Sequence, residues 1–383
     1  MQYYRGLLHQ ATRIEAFRRA IHGTVRPGDR VLEVGTGLGT YAFFAADAGA
    51  ARVWAVDGNP VVHVAQTVAQ LNGYAARIEF VRGWIPDVAT PESATVLIFE
   101  DFPARLLDSR VYRLFADLHR SYLASGASVI PARALLYLAP VTGHDVVGWL
   151  SGMDDSAYGI DWSCTREYAV NTPRRSHVRP DSVATRPASI AGVDFAQPPE
   201  TWQLGGRAVW SWESETVVSG LAYWFDLELS PSDTLSNAPG AEPASWGQLL
   251  LPLDPPVRVA AGEELRVEVK PELFPDGAPG WLRWIANAGE ITRGGHEFRS
   301  APASFDDLYA RSPDARPRLS RRGVLEAEVL RLTDGTRTVS EIADRVHTLM
   351  PELAPLEAQC LVVEALAGKL ERISPTQIDD TGG

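Results

Sequence analysis

The chain of 383 residues carries 48 acidic against 36 basic side chains, a net charge of −12, with 45% hydrophobic and 22% charged residues. That balance is ordinary for a globular protein of two or three domains, and it argues against nucleic acid as the main partner, because neutralising phosphates needs a basic face. No uninterrupted apolar run reaches bilayer length, and Arg5, Arg13 and Arg18 interrupt the opening stretch, so neither a membrane partner nor a signal segment is expected and a cytoplasmic location is.

Residues 1 to 25 are predicted as one amphipathic helix, with Leu7, Leu8, Ile14, Phe17 and Ile21 near helical spacing. Strand-like runs at 30–34, 53–57, 78–82 and 95–100 then alternate with helical patterns at 40–48 and 60–71. This alternation predicts an α/β fold over residues 1–131, a doubly wound, Rossmann-like parallel sheet with helices on both faces. Beyond Pro131 the character changes to short β-rich runs at 134–141, 208–212, 217–228, 246–251, 264–269 and 281–286, separated by Gly, Pro, Asp and Ser. They predict an antiparallel, barrel-like domain over 132–311, interrupted by a mixed segment at about 151–185 that reads as an arm. A Pro-, Arg- and Ser-rich linker at 312–322 leads into a small α-helical domain at 319–375. There Val339, Ile342, Val346 and Leu349 share one helix face, opened by a capping box of Thr338 and Glu341, and Leu361, Val362, Ala365 and Leu366 share another.

The strongest motif is Val31-Leu32-Glu33-Val34-Gly35-Thr36-Gly37-Leu38-Gly39-Thr40, an apolar strand running through alternate glycines into a helix. Glycines let the chain turn sharply and let a ligand approach the backbone. A second strand ends in Asp57, about twenty residues on, where a carboxylate can accept both hydroxyls of a ribose. The spacing Gly35-x-Gly37-x-Gly39 departs from the dinucleotide pattern GxGxxG and favours S-adenosylmethionine (SAM), which has no pyrophosphate to seat on the helix N-terminus. Glu33 is either a strand-end surface acid or a group behind the glycine loop near the methionine part of the cofactor. Asp57 is either the ribose acceptor or a helix cap. Gly83 and Trp84 follow the third strand, where an adenine sits in such folds, though Trp84 is equally a candidate core aromatic. Two cysteines, Cys164 and Cys360, make no disulfide framework, and the eight histidines form no ligand pair, so no metal is expected.

With these motifs in place, residues 7 to 305 resemble the protein arginine methyltransferase family. The run 31–57, including Phe43-Phe44-Ala45-Ala46-Asp47-Ala48-Gly49-Ala50, is similar to the family's cofactor motifs. Tyr158-Gly159-Ile160-Asp161-Trp162-Ser163-Cys164 resembles the opening of its dimerisation arm, and Pro131 its junction between sheet and barrel. The resemblance implies a class I SAM-dependent methyltransferase, a homodimer, and an arginine-containing peptide or protein as substrate. It implies that Arg13 pairs with the SAM carboxylate and that Glu100 and Asp108 are the two catalytic acids that grip a guanidinium. It also puts Ser245 and Trp246 at the family's substrate-side Thr-His-Trp loop. Two carboxylates suit this task because they hold a planar guanidinium by fixed, charge-assisted bonds and leave one nitrogen lone pair aimed at the methyl group.

The chain departs from the family's pattern in four places. The second acid is Asp108 rather than Glu, on a loop one residue shorter; Ala244-Ser245-Trp246 lacks the histidine; the helix that closes over SAM is missing; and Ile85-Pro86 stands where a glutamate contacts adenine. A non-arginine acceptor in peptide or small-molecule biosynthesis, and a SAM-binding scaffold without catalysis, are therefore competing expectations. The stretch 330–342 resembles the helical part of small PqqD-like domains, which implies that the C-terminal module holds a leader peptide; a docking or stabilising appendage is the plainer alternative.

Overall fold

The structure is a computed structural model describing residues 2–143, 157–242, 246–300, 316 and 318–366. The chain divides into two compact units, Met1–Pro302 and Ala303–Gly383.

Five parallel strands begin the first unit: β1 (Arg30–Val34), β2 (Arg52–Asp57), β3 (Ile78–Arg82), β4 (Ala94–Phe99) and β5 (Leu123–Ile130). They lie in the order β3-β2-β1-β4-β5. Val31, Leu32, Val53, Ala55, Leu97 and Ile98 are fully buried, as expected of central strands covered on both faces. Helices α1 (Gln2–Leu8), α2 (Ala11–Thr24), α3 (Thr40–Asp47), α4 (Val62–Leu71) and α5 (Ser109–Ser121) belong to the same half of the unit. In α5 the buried residues Val111, Tyr112, Phe115 and Leu118 recur at helical spacing, and Asp108 caps its N-terminus. Chain order reverses between β1 and β4, and the crevice beyond the carboxyl ends of such strands is where ligands bind in doubly wound sheets.

The expected single helix at 1–25 is two. The chain breaks at His9–Gln10, and α1 crosses to the mouth of that crevice, where Tyr3, Tyr4, Leu7 and Leu8 line a cavity. A helix therefore does line the cavity, although the chain's departure from the family's pattern led to the expectation that the closing helix is missing.

The antiparallel part comprises β6 (Arg133–Val141), β7 (Arg174–Ser176), β8 (Ala188–Asp194), β9 (Gly206–Ser211), β10 (Thr216–Ser230), β11 (Asp233–Ser236), β12 (Gln248–Val259), β13 (Glu264–Leu273), β14 (Pro279–Ala288) and β15 (Ile291–His296). One sheet runs β7-β12-β10-β6-β8 with β11 beside β10, and the other runs β15-β14-β13-β9. Among the described residues these strands form two sheets and no closed barrel. Leu282, Trp284, Ala286 and Ala288 alternate inward along β14, and the Trp284 indole donates to Pro252 O of β12 at 2.8 Å, tying one sheet to the other. Phe102, Phe115, Phe195 and Trp202 make a continuous aromatic contact between the parallel and antiparallel parts.

In the second unit, helices Arg321–Leu332, Val339–Leu349 and Pro355–Leu366 bury Leu325, Val329, Ile342, Val346, Ala358 and Val362 together. The expected capping box is present: Thr338 N donates to Glu341 Oε2 at 2.7 Å, and Glu341 N to Thr338 Oγ1 at 3.2 Å. No helix among the described residues is long and apolar enough to cross a membrane.

Candidate active site

A cavity of about 540 Å³ lies at the carboxyl ends of β1, β2 and β4, within the size range of small-molecule sites. Its floor is the turn after β1. Gly35 N and Thr36 N both donate to Val56 O, and Gly37 N donates to Asp57 Oδ2 at 2.7 Å. Gly39 starts α3 at φ 82°, and a Cβ there would stand 2.8 Å from the Phe80 ring, so only glycine fits. Gly35 has φ 80°, and a Cβ on it would meet Asp101 Cβ at 3.3 Å. Gly35 and Gly37 line the cavity, whereas Gly39 shapes the turn from behind it.

Glu33 is 2% exposed, accepts a bond from Thr36 Oγ1 at 2.6 Å and lines the cavity. It is therefore not a surface acid. Burial pushes its pKa up to about 8, against the opposing effect of the Thr36 and Ala42 hydrogen bonds. Asp57 is half-buried at the end of β2 and holds the backbone on both sides: Oδ2 takes Gly37 N, and Oδ1 takes Asn59 N at 2.7 Å. Asp57 does not cap α4, whose N-cap position is Val61 with no side-chain cap bond; Asn59 Oδ1 accepts from Val61 N just ahead of the helix.

Gly83 and Trp84 border the cavity at its β3 end, with Gly83 N donating to Asp57 O at 3.0 Å. Trp84 is 66% exposed, which removes the core-aromatic alternative. Its ring lies on Gly58, where a Cβ would fall 2.1 Å from the indole.

At the opposite end Arg13, 3% exposed on α2, donates from Nη1 to Glu100 Oε1 at 2.5 Å and from Nη2 to Leu7 O. The Glu100 side chain keeps 20% exposure. Desolvation pushes its pKa up to about 7, the Arg13 charge opposing and Asp101 adding to the shift. Asp101 also lines the cavity and is held by Arg110, which donates to its Oδ2 at 3.0 Å and its backbone O at 2.8 Å. Desolvation raises the Asp101 pKa as well, Arg110 pulling the other way.

Two expected site residues stand elsewhere. Asp108 does not line the cavity: its Oδ1 accepts from Val111 N at 2.8 Å, the ordinary work of a helix N-cap, and the acid beside Glu100 is Asp101. Trp246 is 5% exposed and packs edge-on against Phe225 at 5.4 Å, a core position in the antiparallel sheet. Ser245 lies outside the described residues. Asp101 was missed, and its place directly after Glu100 in the chain is the signal that points to it. Tyr41, also on the cavity wall, gave no signal, because it reads as one more apolar residue of α3.

Residues 132–273 match the family model of the arginine methyltransferase oligomerization subdomain, and residues 9–100 match that of ribosomal protein L11 methyltransferase (PrmA). The chain is 26% identical over 270 residues to protein arginine N-methyltransferase 1 of Dictyostelium discoideum, covering 67% of this chain and 77% of the relative. It is 26% identical over 295 residues to protein arginine N-methyltransferase 6 of Xenopus laevis, covering 73% and 86%. In fold it is similar to the Trypanosoma brucei PRMT1 enzyme–prozyme heterotetrameric complex with AdoHcy, with a TM-score of 0.68, 20% identity, and coverage of 77% of this chain and 97% of that one. It is similar too to Arabidopsis thaliana protein arginine methyltransferase 10, with a TM-score of 0.64, 20% identity, and coverage of 78% and 98%. With the oligomerization-subdomain match lying on the antiparallel part and the methyltransferase match on the glycine turn, the chain is similar to protein arginine methyltransferases along both parts of its first unit.

Proposed function

We propose that this chain transfers a methyl group from SAM to a guanidino nitrogen of an arginine in a peptide or protein. The observation that carries it is that Glu100 already binds a guanidinium at the cavity, that of Arg13. An acid that pairs with one planar guanidinium there has the chemistry to pair with a substrate's.

The cavity residues suit the cofactor. The Gly35–Gly37 turn offers close backbone approach, Asp57 keeps lone pairs for ribose hydroxyls, and exposed Trp84 offers an apolar face to adenine. Glu33 and Arg13 stand at the amino-acid end. When bound, SAM supplies an electrophilic methyl group. Glu100 Oε atoms accept N–H bonds from the substrate guanidinium, fix its plane, and stand to take the proton that the nitrogen gives up. Asp101 is the second acid on the cavity. Incubation with methyl-labelled SAM and matched peptides with and without arginine tests this. Label confined to arginine is expected; efficient label on peptides lacking arginine assigns another acceptor and refutes the proposal.

Two features support assembly and substrate holding. Tyr158, Ile160 and Trp162 are exposed by 98%, 51% and 42% in the segment expected to be an arm, an apolar surface suited to a second copy of the chain. Sedimentation at micromolar concentration is expected to give a homodimer, and a monomer refutes it. Leu330, Leu349, Leu356 and Val363 are exposed on the helical unit and suit an apolar leader segment. Deleting residues 319–383 is then expected to raise KM for a leader-bearing peptide and leave KM for the leaderless one unchanged.

A further inference from the structure

Tyr41 lies on α3 at 7% exposure and lines the cavity. Its ring stacks on Phe17 with centroids 4.6 Å apart and planes at 19°, which fixes where the hydroxyl points. That hydroxyl is buried and has no hydrogen-bond partner. A buried hydroxyl left unpaired costs about 1–3 kcal/mol, and native structures keep few such groups without a reason. Here the position is on a cavity wall, where a ligand can supply the missing partner.

The surrounding charges say which kind. The ionisable groups that act on Tyr41 are Glu100, Arg13 and Glu33. Glu33, at about 8, is mostly uncharged at neutral pH. Of the charged groups Glu100 acts most strongly on Tyr41, and Arg13 is the one cation among the three, the partner that a carboxylate at this corner would find. The corner is also at the far end of the cavity from Trp84: the sheet order places β3 and Trp84 on one side, Asp57 of β2 between, and β1 and β4 on the other. A ligand with its base at Trp84 and its ribose at Asp57 therefore extends its remaining end toward Tyr41 and Arg13.

Resting on the SAM assignment above, we infer that the Tyr41 hydroxyl donates a hydrogen bond to the carboxylate of the cofactor's amino-acid end, and so makes Tyr41 a determinant of cofactor affinity. The perturbation is Tyr41→Phe, which keeps the ring against Phe17 and removes only the hydroxyl. The probes are S-adenosylhomocysteine and 5′-methylthioadenosine, which shares its adenosine and thioether but lacks the amino acid, both titrated by calorimetry. Affinity for S-adenosylhomocysteine is expected to fall about tenfold, the loss of one charge-assisted bond, while that for methylthioadenosine stays within about twofold. Unchanged affinity for both overturns the inference, because the hydroxyl then touches no ligand. Equal loss of both overturns it too, since the hydroxyl then supports the pocket as a whole. A wild-type chain that binds neither compound refutes the SAM assignment itself, an outcome separate from the other two.

Discussion

Replacing Glu33 by Gln tests whether the acid behind the glycine turn is held protonated by the fold. Its pKa rises from 4.5 to about 8 through burial. A folded-state pKa above the unfolded value means that the native chain binds the proton more tightly, so stability is full below about 4.5 and is lost as pH rises to about 8. Each pH unit inside that window removes up to about 1.4 kcal/mol, so about 3 kcal/mol has gone by pH 7. The glutamine variant keeps an acceptor for Thr36 Oγ1 but has no proton to lose. Urea unfolding of both proteins at a series of pH values reads the difference, and tryptophan emission is a clean signal because all 11 tryptophans lie within Met1–Pro302. Glu100 and Asp101 contribute the same background slope to both proteins. The variant is expected to gain on the wild type steadily from pH 5 to pH 8. Parallel curves across that range refute the account of Glu33 as a buried, neutral acid.

Glu100→Gln is expected to abolish turnover while leaving S-adenosylhomocysteine binding within a few-fold; surviving turnover removes Glu100 from the chemistry. In the wild type, turnover is expected to rise with pH through about 7, because Glu100 must be ionised to hold a cationic guanidinium, and a pH-rate profile checks the sign. Asp108→Ala is expected to cost about 1 kcal/mol through loss of the α5 cap and to lower turnover far less than Glu100→Gln does. An equal collapse of turnover returns Asp108 to the catalytic set. Gly39→Ala drives a Cβ into the Phe80 ring at positive φ and is expected to destabilise by about 2 kcal/mol, read from the urea midpoint.

Four of the five parallel strands were legible because each is short, apolar and ends in a turn signal, residues 30–34 and 78–82 matching the observed β1 and β3, whereas β5, LASGASVI, has too few large apolar residues and escaped. The antiparallel part was legible only where strands alternate. β8 at Ala188–Asp194 and β15 at Ile291–His296 escaped, since ASIAGVD and ITRGGH carry too few large apolar residues to mark a face. The break at Gln10 has no proline or glycine to announce it; α1 turns aside where its tyrosines meet the cavity rather than for any local preference. The glycine turn and Asp57 were readable from spacing, which is a property of one short stretch. The second acid was not: Asp101 and Asp108 flank the same loop, and which faces the cavity depends on α5 needing a cap, a three-dimensional fact. In the helical unit, periodicity found Ile342 and Val346 but overreached at Val339 and Leu349, which remain 38% and 49% exposed at the helix ends.

The bare backbone of Gly58 under the Trp84 ring has a further consequence. Trp84 is the most exposed of the described tryptophans, while Trp54, Trp202, Trp210, Trp224, Trp246 and Trp284 are buried. The protein thus carries an optical reporter at the rim of its own cavity. A purine settling against that indole quenches a long-wavelength, water-facing component of the emission and leaves the interior tryptophans unaltered, so occupancy can be followed without any label.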